Sequence, residues 1–433
     1  RLLQNPTTSL LALILDRSVG NIIRMLRIIR LPKEERGPVS WGFVGTLAVT
    51  LVYGLVMLFS ASYSSGYTRY GDIYHFIEPQ LIVAVFGFGF MLFLSRFNYR
   101  SLRYLNETLY VVTLVLLVVA LFMPSDNNGC YRWVYFPGGM SMQPSELAKF
   151  SIILGTACSL DKRKAQIKHP FYGIILPALP LLPVLVLLKM EPHNSAMLLM
   201  AAIFATMIFC AGGGGLAWEI GLGSLALAGG MLYMKYLAGS EGYASERLGG
   251  VWGLTPTDTA NMLWQTRQSI YAICTGGPFG VGIGNSVQKH QWLPYAENDF
   301  IFSVVCEELG FVGAVALILL FAALIVQGIF IALNAPDFFG TMLGIGITAQ
   351  VAWQAFCHIG VATAFLPNTG ISLPFFSSGG TSLLLLLSEM GVLLSISRAS
   401  NARMSARKRR QQEETDRKLG RAPRRPVYRR QNS

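Results

Sequence analysis

Residues 299–333 read DFIFSVVCEELGFVGAVALILLFAALIVQGIFIAL. After the acidic pair Glu307-Glu308 no charge interrupts the run, and its apolar residues lie on every face of a helix rather than on one stripe. A helix needs about 20 such residues to cross a hydrocarbon core of roughly 30 Å, and a backbone in lipid must satisfy its own hydrogen bonds. This stretch therefore reads as a membrane-spanning helix, long enough to tilt or to project beyond the bilayer. The rest of the chain agrees. It has 433 residues, 52% of them hydrophobic and 13% charged, with a mean hydropathy of +0.47, which excludes a water-soluble fold.

Further apolar segments give an all-α integral membrane fold of ten transmembrane helices. They run over Trp41–Ser60, Phe76–Leu94, Leu105–Met123, Met142–Leu160, Phe171–Lys189, Ser195–Gly212, Leu216–Leu237, Asp299–Leu333, Thr341–Val361 and Phe376–Ile396. Alternating barrel strands are not seen. A long loop, 238–298, separates helices seven and eight. Residues 1–40 form a basic amphipathic tail, 41–398 the membrane domain, and 399–433 a second basic tail expected to be disordered.

The net charge of +12 is concentrated at the ends, where the two tails hold +13 and leave −1 for the remainder. Such tails meet anionic lipid headgroups, and no aromatic interleaving points to nucleic acid. The basic loops Arg96–Arg103 and Lys162–Lys168 share a side with the tails, which the positive-inside rule assigns to the cytoplasm. Ala61–His75, Pro124–Ser141, Ala238–Asn298 and Ala362–Phe375 then face outward. The apolar stretch Ser9–Leu15 is too short for a signal peptide. Six cysteines and five histidines show no metal-ligand spacing, and Gly212–Gly215 reads as a tight turn rather than a phosphate loop.

Against the charge rule, the outward segments carry Arg132, Arg247, Arg267 and Lys289 in company with Trp133, Trp252, Trp264 and Trp292. Cations in that position suggest an anionic ligand, although single tryptophans also populate any membrane interface and single cations any solvated loop. Within the spans, Glu146, Lys149, Glu307, Glu308 and Glu389 each require a partner or a cavity. Glu146 and Lys149, three residues apart, share a helical face as an ion pair or a substrate contact. Asn298 or Asp299, at the head of helix eight, could serve simply as an N-cap.

Seven motifs then occur in one order: Gln143-Pro-Ser-Glu146, the glycine-rich Gly276–Gly284, Ser286-Val-Gln-Lys289, Leu293-Pro294, Asp299-Phe-Ile-Phe-Ser-Val304, Glu307-Glu-Leu-Gly310 and Pro367-Asn-Thr-Gly-Ile-Ser-Leu-Pro-Phe-Phe-Ser-Ser-Gly-Gly380. Over residues 41–398 the chain resembles the SEDS (shape, elongation, division, sporulation) family. Ser286–Lys289 and Glu307–Gly310 are more similar to its division branch than to its elongation branch.

The resemblance implies a ten-helix peptidoglycan glycosyltransferase of the bacterial inner membrane that polymerises lipid II at its outer face, at the division septum. It also implies a class B penicillin-binding protein as transpeptidase partner, and other divisome membrane proteins. It carries the catalytic aspartate onto Asp299, as general base. Arg132, Trp133, Glu146, Lys149, Arg247, Lys289, Ser377 and Gly379 are the expected substrate contacts, with Arg132, Arg247 and Lys289 on the pyrophosphate. A divalent cation, Mg or Mn, is a further expectation, with no ligand set assigned. Three departures stand out. Glu191-Pro-His-Asn-Ser195 replaces the usual Gln-Pro-Asp run, so Glu191 offers its carboxylate from a neighbouring position. Glu297-Asn298 replaces a common His-Thr before Asp299, and Cys130-Tyr131 replaces a more basic lead-in to Arg132. The rival readings are an elongation polymerase of the same family, a lipid II flippase and a non-catalytic scaffold. No internal repeat of the transporter kind supports the flippase.

Overall fold

The structure is a computed structural model that describes residues 20, 31–32, 35–124, 132–135, 141–213, 215 and 260–418. Its helices are α1 (Trp41–Tyr70), α2 (Ile77–Leu94), α3 (Leu102–Ala120), α4 (Pro144–Lys162), α5 (Leu181–Met190), α6 (Asn194–Ala211), α7 (Ala260–Thr275), α8 (Ile301–Leu333), α9 (Phe338–Ala362) and α10 (Gly380–Lys418). A two-residue antiparallel ribbon, β1 (Val134–Tyr135) with β2 (Ser141–Met142), precedes α4. Eight helical segments among the described residues are long and apolar enough to cross a membrane, and the chain is an integral membrane protein. Helices stand at nine of the ten expected spans; the expected span 216–237 and most of the 1–40 tail lie outside the described residues.

The bundle is built around α9. Its most apolar window is 78% buried, against 11% for α3, so α9 is the central post and α3 faces lipid. α9 packs on α8, α6, α4 and α10, while α2 packs on α10 and α8 on α1. α4 is too polar to count as a span by composition, since it carries Glu146, Lys149, Asp161 and Lys162. It is tolerated because neighbours enclose it, burying Glu146 and Lys149.

Several boundaries differ from the sequence reading. α1 continues ten residues past the expected Ser60, to Tyr70. With 30 and 33 residues, α1 and α8 are about 45 and 50 Å long and must overhang a core of roughly 30 Å. The span-five region is interrupted: a π-helical turn at Phe171–Ile175 and the short Leu176–Ala178 precede α5, where Pro177, Pro180 and Pro183 withhold backbone donors. α10 starts at Gly380 and runs without a break through Lys418, so the first part of the tail expected to be disordered from 399 is helical, and 419–433 lie outside the described residues. Residues 402–418 are rich in Ala, Arg, Lys, Gln and Glu, which are strong helix formers.

α8 is broken in one place, at Gly310, whose φ of 65° and ψ of −162° only glycine adopts readily. The break strands backbone groups that a straight helix would pair. The glycine-rich segment after α7 supplies them. Val281 N–H donates to Glu307 O (3.0 Å) and Gly282 N–H to Glu308 O (2.9 Å), while Phe311 and Val312 N–H donate to Gly277 O (2.9 Å) and Pro278 O (3.1 Å). A side chain at Gly276 or Gly280 would strike the α8 backbone, which explains the glycines.

Candidate active site

The candidate residues fall into two groups with opposite character. The first surrounds the α8 break. Lys289 is fully buried and its Nζ lies 2.6 Å from Glu308 Oε1 and 3.1 Å from Ser60 Oγ of α1. Ser60 in turn donates to Glu308 (2.6 Å to Oε2), and the Lys289 ammonium sits 4.7 Å from the Tyr63 ring centre. Glu307 accepts from Ser286 Oγ and from Val287 N–H at 2.9 Å. Lys289, expected as a pyrophosphate contact, is here buried and paired with Glu308. Sequence reasoning had noted that Glu307 and Glu308 need partners, but not which.

The second group gathers at the end of the bundle opposite the basic loops. Asp299 is half-buried at the head of α8. It does not act as the N-cap, since Phe300 occupies that position without a side-chain cap bond. Its N–H donates to Tyr295 O (3.0 Å) in a turn. The carboxylate lies against Gly370, where an added Cβ would stand 3.4 Å from Oδ2. Gly370 has a φ of 65° and belongs to the Pro367–Gly380 segment. That segment is pinned to both sides. Ser377 Oγ donates to Asn298 O (2.6 Å) and accepts from Leu373 N–H (2.9 Å), and Ser378 N–H donates to Glu297 O (3.1 Å). Gly379 N–H donates to Gln80 Oε1 (3.1 Å) of α2. Ser377 and Gly379, expected as substrate contacts, here fasten the segment that faces Asp299.

From Gly370 the site extends to the divergent run before α6. Ser195 Oγ donates to Thr369 O, which brings the Glu191–Ser195 turn beside the segment. Glu191 is buried, and its carboxyl is pushed up to about 8, from 4.5, by that burial, with the Arg132 charge pulling the other way. Arg132 and Trp133, both half-buried, lead into β1. Glu146 and Lys149 form a buried ion pair at 2.8 Å, and Glu146 also accepts from Ser382 Oγ (3.0 Å) of α10. Several buried acceptors here have no hydrogen-bond partner among the described residues, namely Ser145 Oγ, Glu191 Oε1, Asn368 Oδ1 and Thr369 Oγ1. Arg267 is exposed on α7, whereas Arg247 and Trp252 lie outside the described residues. Sequence reasoning missed Asn368 and Thr369 as individual groups, although both fall within the quoted segment.

No three His, Cys, Asp or Glu side chains converge as metal ligands among the described residues.

Comparison with known proteins follows this geometry. A probable peptidoglycan glycosyltransferase FtsW of Trichlorobacter lovleyi is 36% identical over 348 residues, covering 80% of this chain and 89% of the relative. The stage V sporulation protein E of Bacillus subtilis is 36% identical over 354 residues, 81% of this chain and 94% of its own. Among solved structures, a chain from a peptidoglycan synthase complex, described as coordinating polymerization and crosslinking, superposes with a TM-score of 0.64 at 27% identity. The match covers 84% of this chain and 98% of that one. The profile of the cell cycle proteins FtsW, RodA and SpoVE matches residues 41–402, and the chain belongs to that family.

Proposed function

We propose that this protein is a peptidoglycan glycosyltransferase that polymerises lipid II at the outer face of the bacterial cytoplasmic membrane during septal wall synthesis. The observation that carries the reading is the placement of Asp299. A carboxylate excluded from helix capping stands against the fastened 367–380 segment, at the end of the bundle away from the basic loops. In a chain of this family, whose relatives bear the glycosyltransferase name, that is where a lipid-linked sugar would meet a base.

In the proposed reaction an acceptor sugar 4-hydroxyl attacks the anomeric carbon of a lipid-pyrophosphate donor. Asp299 takes the hydroxyl proton as the new bond forms, and the anomeric carbon inverts from α to β in a single displacement. One carboxylate suffices. A glycosidase needs a second carboxylic acid to protonate a poor leaving group, whereas pyrophosphate departs already anionic and needs only positive charge beside it. Arg132 supplies that charge. Burial raises the pKa of the Glu191 carboxyl, with the Arg132 charge pulling the other way. The Glu146–Lys149 pair and Trp133 line the approach. Arg247 stays a candidate from sequence alone. A divalent cation, Mg or Mn, would neutralise pyrophosphate further, but every step above is carried by the chain's own groups.

Both tails and the basic loops belong on the cytoplasmic side by the charge rule, with the tails against anionic lipids. The partner this reading calls for is a class B penicillin-binding protein, which crosslinks the strands made here, with other divisome membrane proteins around the pair. The test is synthesis from purified lipid II by the full chain with its cognate transpeptidase. Long β-linked glycan strands are expected; no polymer from folded protein overturns the reading, and α-linked product overturns single displacement.

A further inference from the structure

Locally, the turn that carries Asp299 is closed by backbone bonds, from the Asn298 and Asp299 N–H groups to Tyr295 O (3.0 Å each). No regular helix or strand occupies the 25 residues from Gly276 to Phe300, and α8 begins without a side-chain cap. Further ties reach the turn from elsewhere in the chain.

The overhang of α1 supplies one of them. Glu297, two residues before Asp299, is 1% exposed, and its carboxylate lies 3.5 Å from Arg69 Nη1 and accepts from Ser65 Oγ at 3.2 Å. Arg69 also stacks over the Tyr295 ring, 5.5 Å from its centre, at the start of the same turn. Lower on α1, Tyr63 OH and Ser64 Oγ each lie 3.2 Å from a ring nitrogen of His290. Below that, Ser60 joins the Lys289–Glu308 pair. One face of α1 thus follows the loop upward from the α8 break to the residue that precedes Asp299 by two. Besides the bonds from Ser377 and Ser378 to the backbone of Asn298 and Glu297, the buried Glu297 carboxylate is the side-chain tie from α1 near the top, and Arg69 is its only ion-pair partner among the described residues.

We propose that Arg69 and Glu297 are positioning residues, and that the α1 overhang is the strut setting where Asp299 stands. The proposal rests on Asp299 being the base. Positioning within about an ångström is worth up to roughly a hundredfold in rate. It acts on the chemical step and leaves ground-state binding largely alone, which separates it from a site for substrate.

The test uses the full chain with its transpeptidase, measuring initial polymerisation rates against lipid II concentration. Glu297→Gln is expected to lower kcat by about 10- to 100-fold with KM within about twofold of wild type. Arg69→Gln is expected to do the same, and the double variant to be no worse than either single, because both remove one tie. Wild-type rates in Glu297→Gln, a loss confined to KM, or additive losses in the double variant would overturn the proposal. Hydrogen exchange across residues 293–300 keeps it testable without activity. Glu297→Gln should speed exchange there, and unchanged exchange rejects the strut even if the chain makes no polymer. Absence of polymer from the wild type, with faster exchange in Glu297→Gln, would instead count against the glycosyltransferase reading and leave the strut standing.

Discussion

Two charged clusters in this molecule differ in how completely they are satisfied. Around the α8 break, Lys289, Glu308, Ser60, Glu307 and Ser286 pair with one another, and the glycine segment takes up the backbone groups released at Gly310. At the far end of the bundle, Glu191 Oε1, Asn368 Oδ1 and Thr369 Oγ1 are buried without partners among the described residues, close to the segment that faces Asp299. A buried polar group left unpaired costs about 1–3 kcal/mol, so a fold keeps such groups where something else makes use of them. The first cluster is tied into the fold, although Gln288 Oε1 beside it is also unpartnered among the described residues; under the proposed function the open groups of the second are available to a ligand.

Breaking the first cluster should therefore cost stability above all. Lys289→Met leaves the Glu308 carboxylate buried and unpaired, a penalty of about 3–5 kcal/mol, and the folded yield in detergent should collapse. Adding Glu308→Met should recover much of it, because an apolar pair replaces an ionic one; a double variant no better than the single would show that the charges themselves are needed. Gly310→Ala comes next. Its φ of 65° and the close approach of Phe279 and Gly280 leave no room for a Cβ. A loss of about 1–3 kcal/mol, read as a lower Tm, is expected.

A pH-dependent effect sits in the second cluster. Glu191 has its folded value raised from 4.5 to about 8, so the folded state binds a proton that the unfolded state has released between those limits. Stability attributable to this group falls as pH rises from about 4.5 to 8 and is flat above. Glu191→Gln should thus raise Tm relative to wild type at pH 9, with the gain vanishing near pH 4. A gain that grows toward acid would contradict the assignment.

The membrane fold was legible because lipid leaves a strong signature: long runs without charge can only be spans. Where a helix leaves the bilayer the signature fades. Residues 60–70, SASYSSGYTRY, look like a loop by hydropathy, yet they continue α1, since Ser60, Ser64 and Ser65 face polar partners on the outer loop rather than lipid. The candidate site divides in the same way. Asp299 and the 367–380 segment could be singled out from local motifs. The commitment of Lys289 to Glu308, and of Glu297 to Arg69, could not, because each joins side chains whose pairing is decided only by packing; the second pair is 228 residues apart in the chain. Ser377 and Gly379 show the converse, since their motif is plain in the sequence but the hydrogen bonds by which they hold the segment are not.

The central claim is that Asp299 acts chemically while the cluster below it holds the fold. Its most direct test is the polymerisation rate per folded molecule of Asp299→Asn, from purified lipid II with the transpeptidase present. A fall of about 10²- to 10⁴-fold at a wild-type Tm is the predicted result. Undiminished polymer from that variant would contradict the account.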